Sequence, residues 1–124
     1  MCNKILLVED DEFTSKAINI ILTKYGYTVT IERNGKDALE SLKSSKFDLV
    51  ISDLMLPYAS GLEFISKMRA DMKLNIPVLV LSAITHENTI TEGFEIGVDD
   101  YLKKPFNPSE LTSRVHRLIE QSKR

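Results

Sequence analysis

The stretch Phe47-Asp48-Leu49-Val50-Ile51-Ser52-Asp53-Leu54-Met55-Leu56-Pro57 decides how this chain is read. Its centre, Leu49 to Ile51, is an apolar run short enough for a strand buried on both faces, and the lone acid Asp53 comes where that strand should end. Pro57 has no N–H to donate, so ladder pairing cannot run past it and the backbone must turn soon after the carboxylate. Open α/β sheets bind their ligands at the carboxyl ends of their strands. Asp53 is therefore a candidate site residue, provided that other strands end in groups able to work with it.

Upstream, Lys4 to Val8 is a second continuous apolar run, and it stops abruptly at Glu9-Asp10-Asp11-Glu12. Asp11 is placed to cap the following helix and Glu12 to favour the positive end of its dipole, which accounts for two of the four acids. Glu9 and Asp10 are left over. From Phe13 the spacing of Phe13, Ala17, Ile18, Ile21, Leu22 and Tyr25 predicts a helix that Gly26 ends. Tyr27 to Glu32 alternates toward a strand with Val29 and Ile31 on one face, and Asn34 is a cap for a helix built on Ala38, Leu39 and Leu42 that ends near Ser44-Ser45.

Downstream of Pro57, Leu62, Ile65 and Met68 mark a helix reaching about Met72, and Pro77 to Ser82 is another buried strand with proline in its first position. The weakly patterned region from His86 to Ile96 carries Ile90 and Phe94 at helical spacing, and Gly97 stops it. Tyr101 to Lys103 is a short last strand, Lys104-Pro105-Phe106 a loop, and Ser109 to Glu120 a helix that buries Leu111, Val115, Leu118 and Ile119. Five strands alternating with five helices predict an α/β, doubly wound parallel sheet with helices on both faces and right-handed crossovers. The pattern alone does not determine the order of the strands.

Composition bounds the function. A chain of 124 residues with 43% hydrophobic content is read as one domain over residues 1–124, able to bury roughly two-thirds of its unfolded surface. A net charge of −2 with both signs interspersed offers no basic field to concentrate nucleic acid or an anionic membrane. The single cysteine, Cys2, cannot form an internal disulfide and is expected at a strand edge or the surface; no apolar run approaches the roughly twenty residues of a membrane span. With no charged-then-apolar leader before the first strand, a cytoplasmic location is expected.

The strand ends hold the chemistry. The first ends in Glu9-Asp10, the third in Asp53, the fourth in Ser82-Ala83, and the fifth runs into Lys104, all on one edge of the predicted sheet. Carboxylates gathered there would repel by roughly 4 kcal/mol per pair at about 4 Å with an effective dielectric near 20, so a cation is expected among them. Mg²⁺ fits, since it takes one or two carboxylates, keeps several waters and leaves positions for phosphate oxygens. Lys104 adds a fixed positive charge and Ser82 a hydroxyl donor, both suited to a phosphoryl group. Asp53 is the candidate nucleophile, forming an acyl phosphate.

Taken together, Val8-Glu9-Asp10-Asp11, Ser52-Asp53-Leu54-Met55-Leu56-Pro57, Leu81-Ser82-Ala83 and Gly97-Val98-Asp99-Asp100-Tyr101-Leu102-Lys103-Lys104-Pro105-Phe106 resemble the receiver domain of two-component response regulators over nearly the whole chain. The resemblance implies a flavodoxin-like (βα)5 sandwich with strand order 2-1-3-4-5. It implies that Asp53 accepts a phosphoryl group from a phosphohistidine on a sensor histidine kinase or phosphotransfer protein, and that the domain is a phosphoacceptor catalysing its own phosphorylation and dephosphorylation, not an enzyme acting on other substrates. Asp10, Asp53 and the backbone carbonyl of Met55 would ligate Mg²⁺, Glu9 would act through a coordinated water, and Lys104 would contact the phosphoryl oxygens. Ser82, drawn toward the phosphoryl group, would vacate space into which Tyr101 turns, altering the face formed by the fourth helix, fifth strand and fifth helix.

Several residues qualify the resemblance. Ser60-Gly61 follows Pro57 where an acid or Asn often precedes the glycine. Asp99-Asp100-Tyr101 with Arg114 is similar to receivers of winged-helix transcription factors that dimerise through ion pairs; an Asp100–Arg114 pair is available, but Ile90 stands where a basic partner for Glu110 would be. An output domain or phosphorylation-dependent homodimer is thus an open expectation. Met55 and Ile84 border the path of the hydrolytic water in such domains, and neither can orient it, so a long-lived phosphoryl group is expected. His86 and His116 are read as ordinary side chains, with the donor histidine on another protein.

Two other classes share parts of this pattern. Phosphatases resembling haloacid dehalogenases need a second acid two residues after the nucleophile, where Met55 stands. A flavodoxin-type electron carrier needs a hydroxyl- and glycine-rich phosphate loop after the first strand, where the acids Glu9 to Glu12 would repel phosphate. A structural adaptor would be expected to lack the acceptor or its partners.

Overall fold

The computed structural model describes residues 3–57, 60–83 and 87–123. Strands β1 (Lys4–Val8), β2 (Thr28–Glu32), β3 (Leu49–Asp53), β4 (Val78–Ser82) and β5 (Asp100–Lys103) alternate with helices α1 (Glu12–Lys24), α2 (Gly35–Ser44), α3 (Gly61–Ala70), α4 (Glu87–Ile96) and α5 (Pro108–Ser122). All pairings are parallel and the sheet order is β2-β1-β3-β4-β5. The expected doubly wound fold and its 2-1-3-4-5 order are both observed.

Why the strands read as continuous apolar runs is plain from the two sides of the sheet. Ile5, Leu7, Leu49, Ile51, Leu79 and Leu81 pack with Ile18 and Leu22 of α1 and with Leu111, Val115, Leu118 and Ile119 of α5. Their neighbours Leu6, Val8, Val50, Val78 and Val80 face the other way, onto Ala38 and Leu42 of α2 and Phe64, Ile65 and Met68 of α3. Side chains alternate between faces, and both faces are covered, so after Lys4 at the start of β1 no polar residue stands in β1, β3 or β4 until the strand nears its carboxyl end. That constraint exposes the chemistry: the polar groups stand where burial stops.

Helix starts follow the expected caps. Asp11 accepts from the Thr14 N–H at 3.0 Å, Asn34 from the Asp37 N–H at 2.8 Å, and Asn107 from the Glu110 N–H at 2.8 Å, each satisfying an orphan donor of the first turn. The boundaries of α4 and α5 differ from the pattern-based ranges by a residue or two, and β5 begins at Asp100 rather than Tyr101. Phe13 corrects the reading of α1. Its helical spacing holds, but the side chain is 83% exposed, and Tyr25 is also exposed; both lie outside the stripe formed by Ile18 and Leu22. Cys2, Ile84 and His86 lie outside the described residues.

At the edge of the sheet opposite the acids, a polar clamp joins three elements. The Arg69 guanidinium, near the end of α3, donates to the Gly97 carbonyl after α4 through Nε (3.2 Å) and Nη2 (2.9 Å), and to the Leu74 carbonyl through Nη1 (2.8 Å). It also pairs with Asp99 at 3.1 Å, whose carboxylate accepts the Val78 N–H at 2.7 Å. Arg69 is largely shielded from solvent, so these bonds replace its lost hydration.

The start of α3 is pressed against β3. Ser60 caps the helix by accepting from the Glu63 N–H at 3.1 Å, and the Gly61 N–H donates to the Leu54 carbonyl at 2.8 Å. A Cβ on Gly61 would lie 2.3 Å from the carbonyl oxygen of Asp53. Because the contact is with backbone, neither side has a rotamer with which to yield. Gly61→Ala is expected to lower the unfolding free energy by roughly 1 to 3 kcal/mol; an unchanged urea midpoint would show that this approach is not tight.

Candidate functional site

The ends of strands β1, β3 and β5 bring Glu9, Asp53 and Lys104 together. Lys104 follows the end of β5, its N–H donating to the Ser82 carbonyl at 2.9 Å, and the Lys104-Pro105 peptide bond is cis. Its ammonium donates to Asp53 Oδ2 at 2.8 Å and to Glu9 Oε1 at 2.9 Å. Glu9 is 2% exposed. Its second oxygen accepts the Asp11 N–H at 3.2 Å, while Asp53 Oδ1 accepts the Met55 N–H at 3.2 Å. A buried carboxylate with both oxygens occupied and a cation beside it is one that the protein can hold without an orphaned charge.

The electrostatics follow from that arrangement. Burial holds the Glu9 carboxyl above its usual range, and the neighbouring Asp53 adds to the rise while the Lys104 bond opposes it. Burial by itself would lower the Lys104 ammonium, but its bonds to Asp53 and Glu9 outweigh this and hold it above its usual value. Asp11 is held below its usual range by Thr14, whose hydroxyl and N–H both donate to it.

Asp10 is placed differently from the expectation of three gathered acids. Its side chain is about half exposed and lies by Arg33, with Oδ1 3.7 Å from Arg33 Nη2. Among the described residues no group of three or more His, Cys, Asp or Glu is set to hold a metal ion. The physical reason is that protein cations already balance the acids, Lys104 between Glu9 and Asp53 and Arg33 beside Asp10. The donors still suit Mg²⁺, which needs one or two carboxylates and completes its shell with water; Asp10 and Asp53 would supply the carboxylates, and the Met55 backbone carbonyl, two residues on, a further oxygen.

Ser82, at the end of β4, is buried. Tyr101 on β5 stands edge-on to Phe94 of α4, with ring centroids 5.3 Å apart and planes at 76°. Its hydroxyl fills the notch left by Gly93, where a Cβ would be only 1.6 Å from the oxygen. Burial, with Glu92 nearby, raises the Tyr101 phenol above its usual range. The Met55 side chain is 69% exposed. His116 is exposed on α5. The Asp100 carboxylate accepts from Arg114 at 2.8 Å and from Arg117, so the pair anticipated for a dimer is formed within one chain.

Three features escaped the sequence reading: the Arg33 contact with Asp10, the close seat of Gly61 and an apolar groove beside the site. The groove has a volume of about 570 Å³ and runs between Phe13, Ala17 and Ile21 of α1 and Pro105 and Phe106, with Lys104 in its wall. Exposed Phe13 was the available signal, once the face of α1 was known.

Acids rather than a phosphate-binding loop crowd the end of β1, so fold and site define a signalling receiver domain. The chain belongs to the response regulator receiver domain family, whose model matches residues 5–116. It acts in two-component signalling. Among curated relatives, it is 37% identical over 122 residues to the alkaline phosphatase synthesis transcriptional regulatory protein PhoP of Bacillus subtilis, covering 98% of this chain and 50% of that protein. It is 36% identical to the transcriptional regulatory protein CrdR of Helicobacter pylori, covering 96% of this chain and 56% of that protein. The chain thus spans about half the length of these relatives. Among solved structures, the chemotaxis response regulator CheY4 of Vibrio cholerae superposes with a TM-score of 0.89 at 30% identity, covering 95% of this chain and 99% of that one. The receiver domain of the Francisella response regulator 1452 gives a TM-score of 0.91 at 32% identity, covering 97% and 98%.

The raised pKa of Glu9 has a definite consequence for stability. Folding strengthens its hold on a proton, so its contribution to stability is fully present below the ordinary glutamate value and is lost as pH rises through the elevated folded value. Glu9→Gln should therefore flatten the dependence of the thermal midpoint on pH just above about pH 4.5, the ordinary value. Parallel wild-type and variant profiles there would contradict the assignment.

Proposed function

We propose that Asp53 accepts a phosphoryl group from a phosphohistidine on a sensor histidine kinase or phosphotransfer protein. The observation that carries this reading is the Lys104 ammonium held 2.8 Å from Asp53 Oδ2 and braced by buried Glu9. An Asp53 carboxylate oxygen forms the new P–O bond as the P–N bond to the donor imidazole breaks; the departing nitrogen keeps the electron pair and takes a proton from water. Lys104 then turns its charge to the phosphoryl oxygens, where negative charge has increased. Mg²⁺, held by Asp10, Asp53 and the Met55 carbonyl with Glu9 acting through a water, would supply further positive charge to those oxygens.

The partner needs an approach to a side chain that is mostly buried, and the open groove between α1 and Phe106 supports docking of a protein surface beside Lys104. The switch runs through Ser82 and Tyr101. Ser82 moves toward the phosphoryl group, Tyr101 leaves its seat against Gly93 and Phe94 for the space released, and the face of α4, β5 and α5 changes. The seat is a close fit, which supports two discrete positions rather than a continuum. The reading assigns this domain no contact with nucleic acid; any DNA binding by a longer protein would rest in a separate output domain. No helix among the described residues is long and apolar enough to cross a membrane, and the reading places the domain in the cytoplasm. Homodimerisation through Asp100 and Arg114 would have to break the pair already formed inside the chain.

Incubation with Mg²⁺ and acetyl phosphate should add one phosphoryl group by mass to the wild type and none to Asp53→Asn. An unmodified wild type in which Mg²⁺ binding is also undetectable would sink the reading. The exposed Met55 side chain cannot orient a water, so Met55→Asn or Met55→Glu should speed loss of the phosphoryl group by roughly tenfold. Lifetimes that do not shorten in either variant would remove Met55 from the control of hydrolysis.

A further inference from the structure

Arg33 is exposed, yet its backbone is held on both sides. In the parallel ladder Val8 is level with Glu32, and the Glu9 N–H donates to the Glu32 carbonyl at 3.0 Å. One residue after Arg33, Asn34 caps α2 through the Asp37 N–H. Arg33 therefore leaves the sheet beside the Glu9-Asp10 turn with little freedom in its Cα position. Its Nη2 donates to the Asp10 carbonyl at 3.3 Å and lies 3.7 Å from Asp10 Oδ1. Among the described residues Arg33 and Asp10 have no other ion-pair partner.

Resting on the reading of Asp10 as a ligand of Mg²⁺, we infer that Arg33 competes with the metal ion for the Asp10 carboxylate and sets the affinity of the unphosphorylated site for Mg²⁺. The guanidinium is tethered, permanently charged and able to approach the carboxylate that the ion must take, so each binding event has to release it. Lys104 makes its contacts with Glu9 and Asp53, so Arg33 is the cation beside Asp10 among the described residues. The pair is exposed, with side chains 67% and 51% accessible, which limits the competition to a modest factor and makes it sensitive to salt. Arg33 thereby links metal loading to the ionic surroundings of the site without touching the acceptor.

The test is a Mg²⁺ titration of the unphosphorylated chain, followed through the backbone amide signals of Asp10 and Met55 and the Nε–H signal of Arg33. Arg33→Gln should tighten Mg²⁺ binding by about two- to fivefold at low salt, with the gap narrowing as salt is added, and Arg33→Glu should tighten it further. In the wild type the Arg33 Nε–H signal should move with the same midpoint as the Asp10 amide. Unchanged or weaker binding by Arg33→Gln, or an Arg33 signal that stays still as the site saturates, would overturn the inference. Asp10→Asn separates this from the reading beneath it: wild-type Mg²⁺ affinity in that variant would mean that Asp10 is not a ligand, whereas weakened binding there with no Arg33 effect would overturn only the competition.

Discussion

One ammonium group holds the working end of this sheet together. Lys104 joins carboxylates from two other strands, and either acid without it would be charge shielded from water with no cation at hand. On the function proposed above, the same contacts that stabilise the resting arrangement would place a positive charge beside the oxygens of a phosphoryl group on Asp53. Stability and chemistry therefore draw on one geometry. Glu9 is the brace of that geometry: both of its oxygens are engaged, which fixes the ammonium on the side of Asp53.

The remaining architecture serves to deliver these groups to one place. Parallel strands covered by helices on both sides admit no interior polar residue, so acids, hydroxyl and lysine collect at the carboxyl ends. The turn after β3 is held tight by α3, whose first residue has no side chain because the Asp53 carbonyl occupies that space. On the far side of the site Tyr101 fills a notch in α4 made by another missing side chain. Two glycines thus set the positions of Asp53 and of Tyr101.

Much of this was legible in the chain because the constraints were local or periodic. Runs such as Leu49 to Ile51 could be strands only if buried on both faces, and Asp11, Asn34 and Asn107 follow simple capping chemistry. Asp53, Glu9, Ser82 and Lys104 stood out as the polar residues at the limits of apolar runs. What stayed hidden depended on distances between segments. The pairing of Arg33 with Asp10 needs the register of β2 against β1, and the isolation of Asp10 from the Glu9–Lys104–Asp53 group follows from which oxygen meets which cation. Phe13 was misplaced because helical spacing identifies an apolar stripe but not its margin, where a large side chain projects into a groove instead of the core.

The clamp made by Arg69 has a mechanical meaning. With its guanidinium on the Gly97 carbonyl, it ties the last turn of α4 to α3 and, through Asp99, to the beginning of β4, while the opposite end of α4 lies toward the acidic edge of the sheet. A helix of ten residues is about 15 Å long, so a tilt of about 10° around the tied end carries the free end through about 2.6 Å. At Gly93, the seat of Tyr101, four residues and about 6 Å from Gly97, the same tilt amounts to about 1 Å. With that end tied, a displacement at the other end of α4 would be taken up as rotation about Gly97 rather than as sliding, and its reach would grow with distance from Gly97.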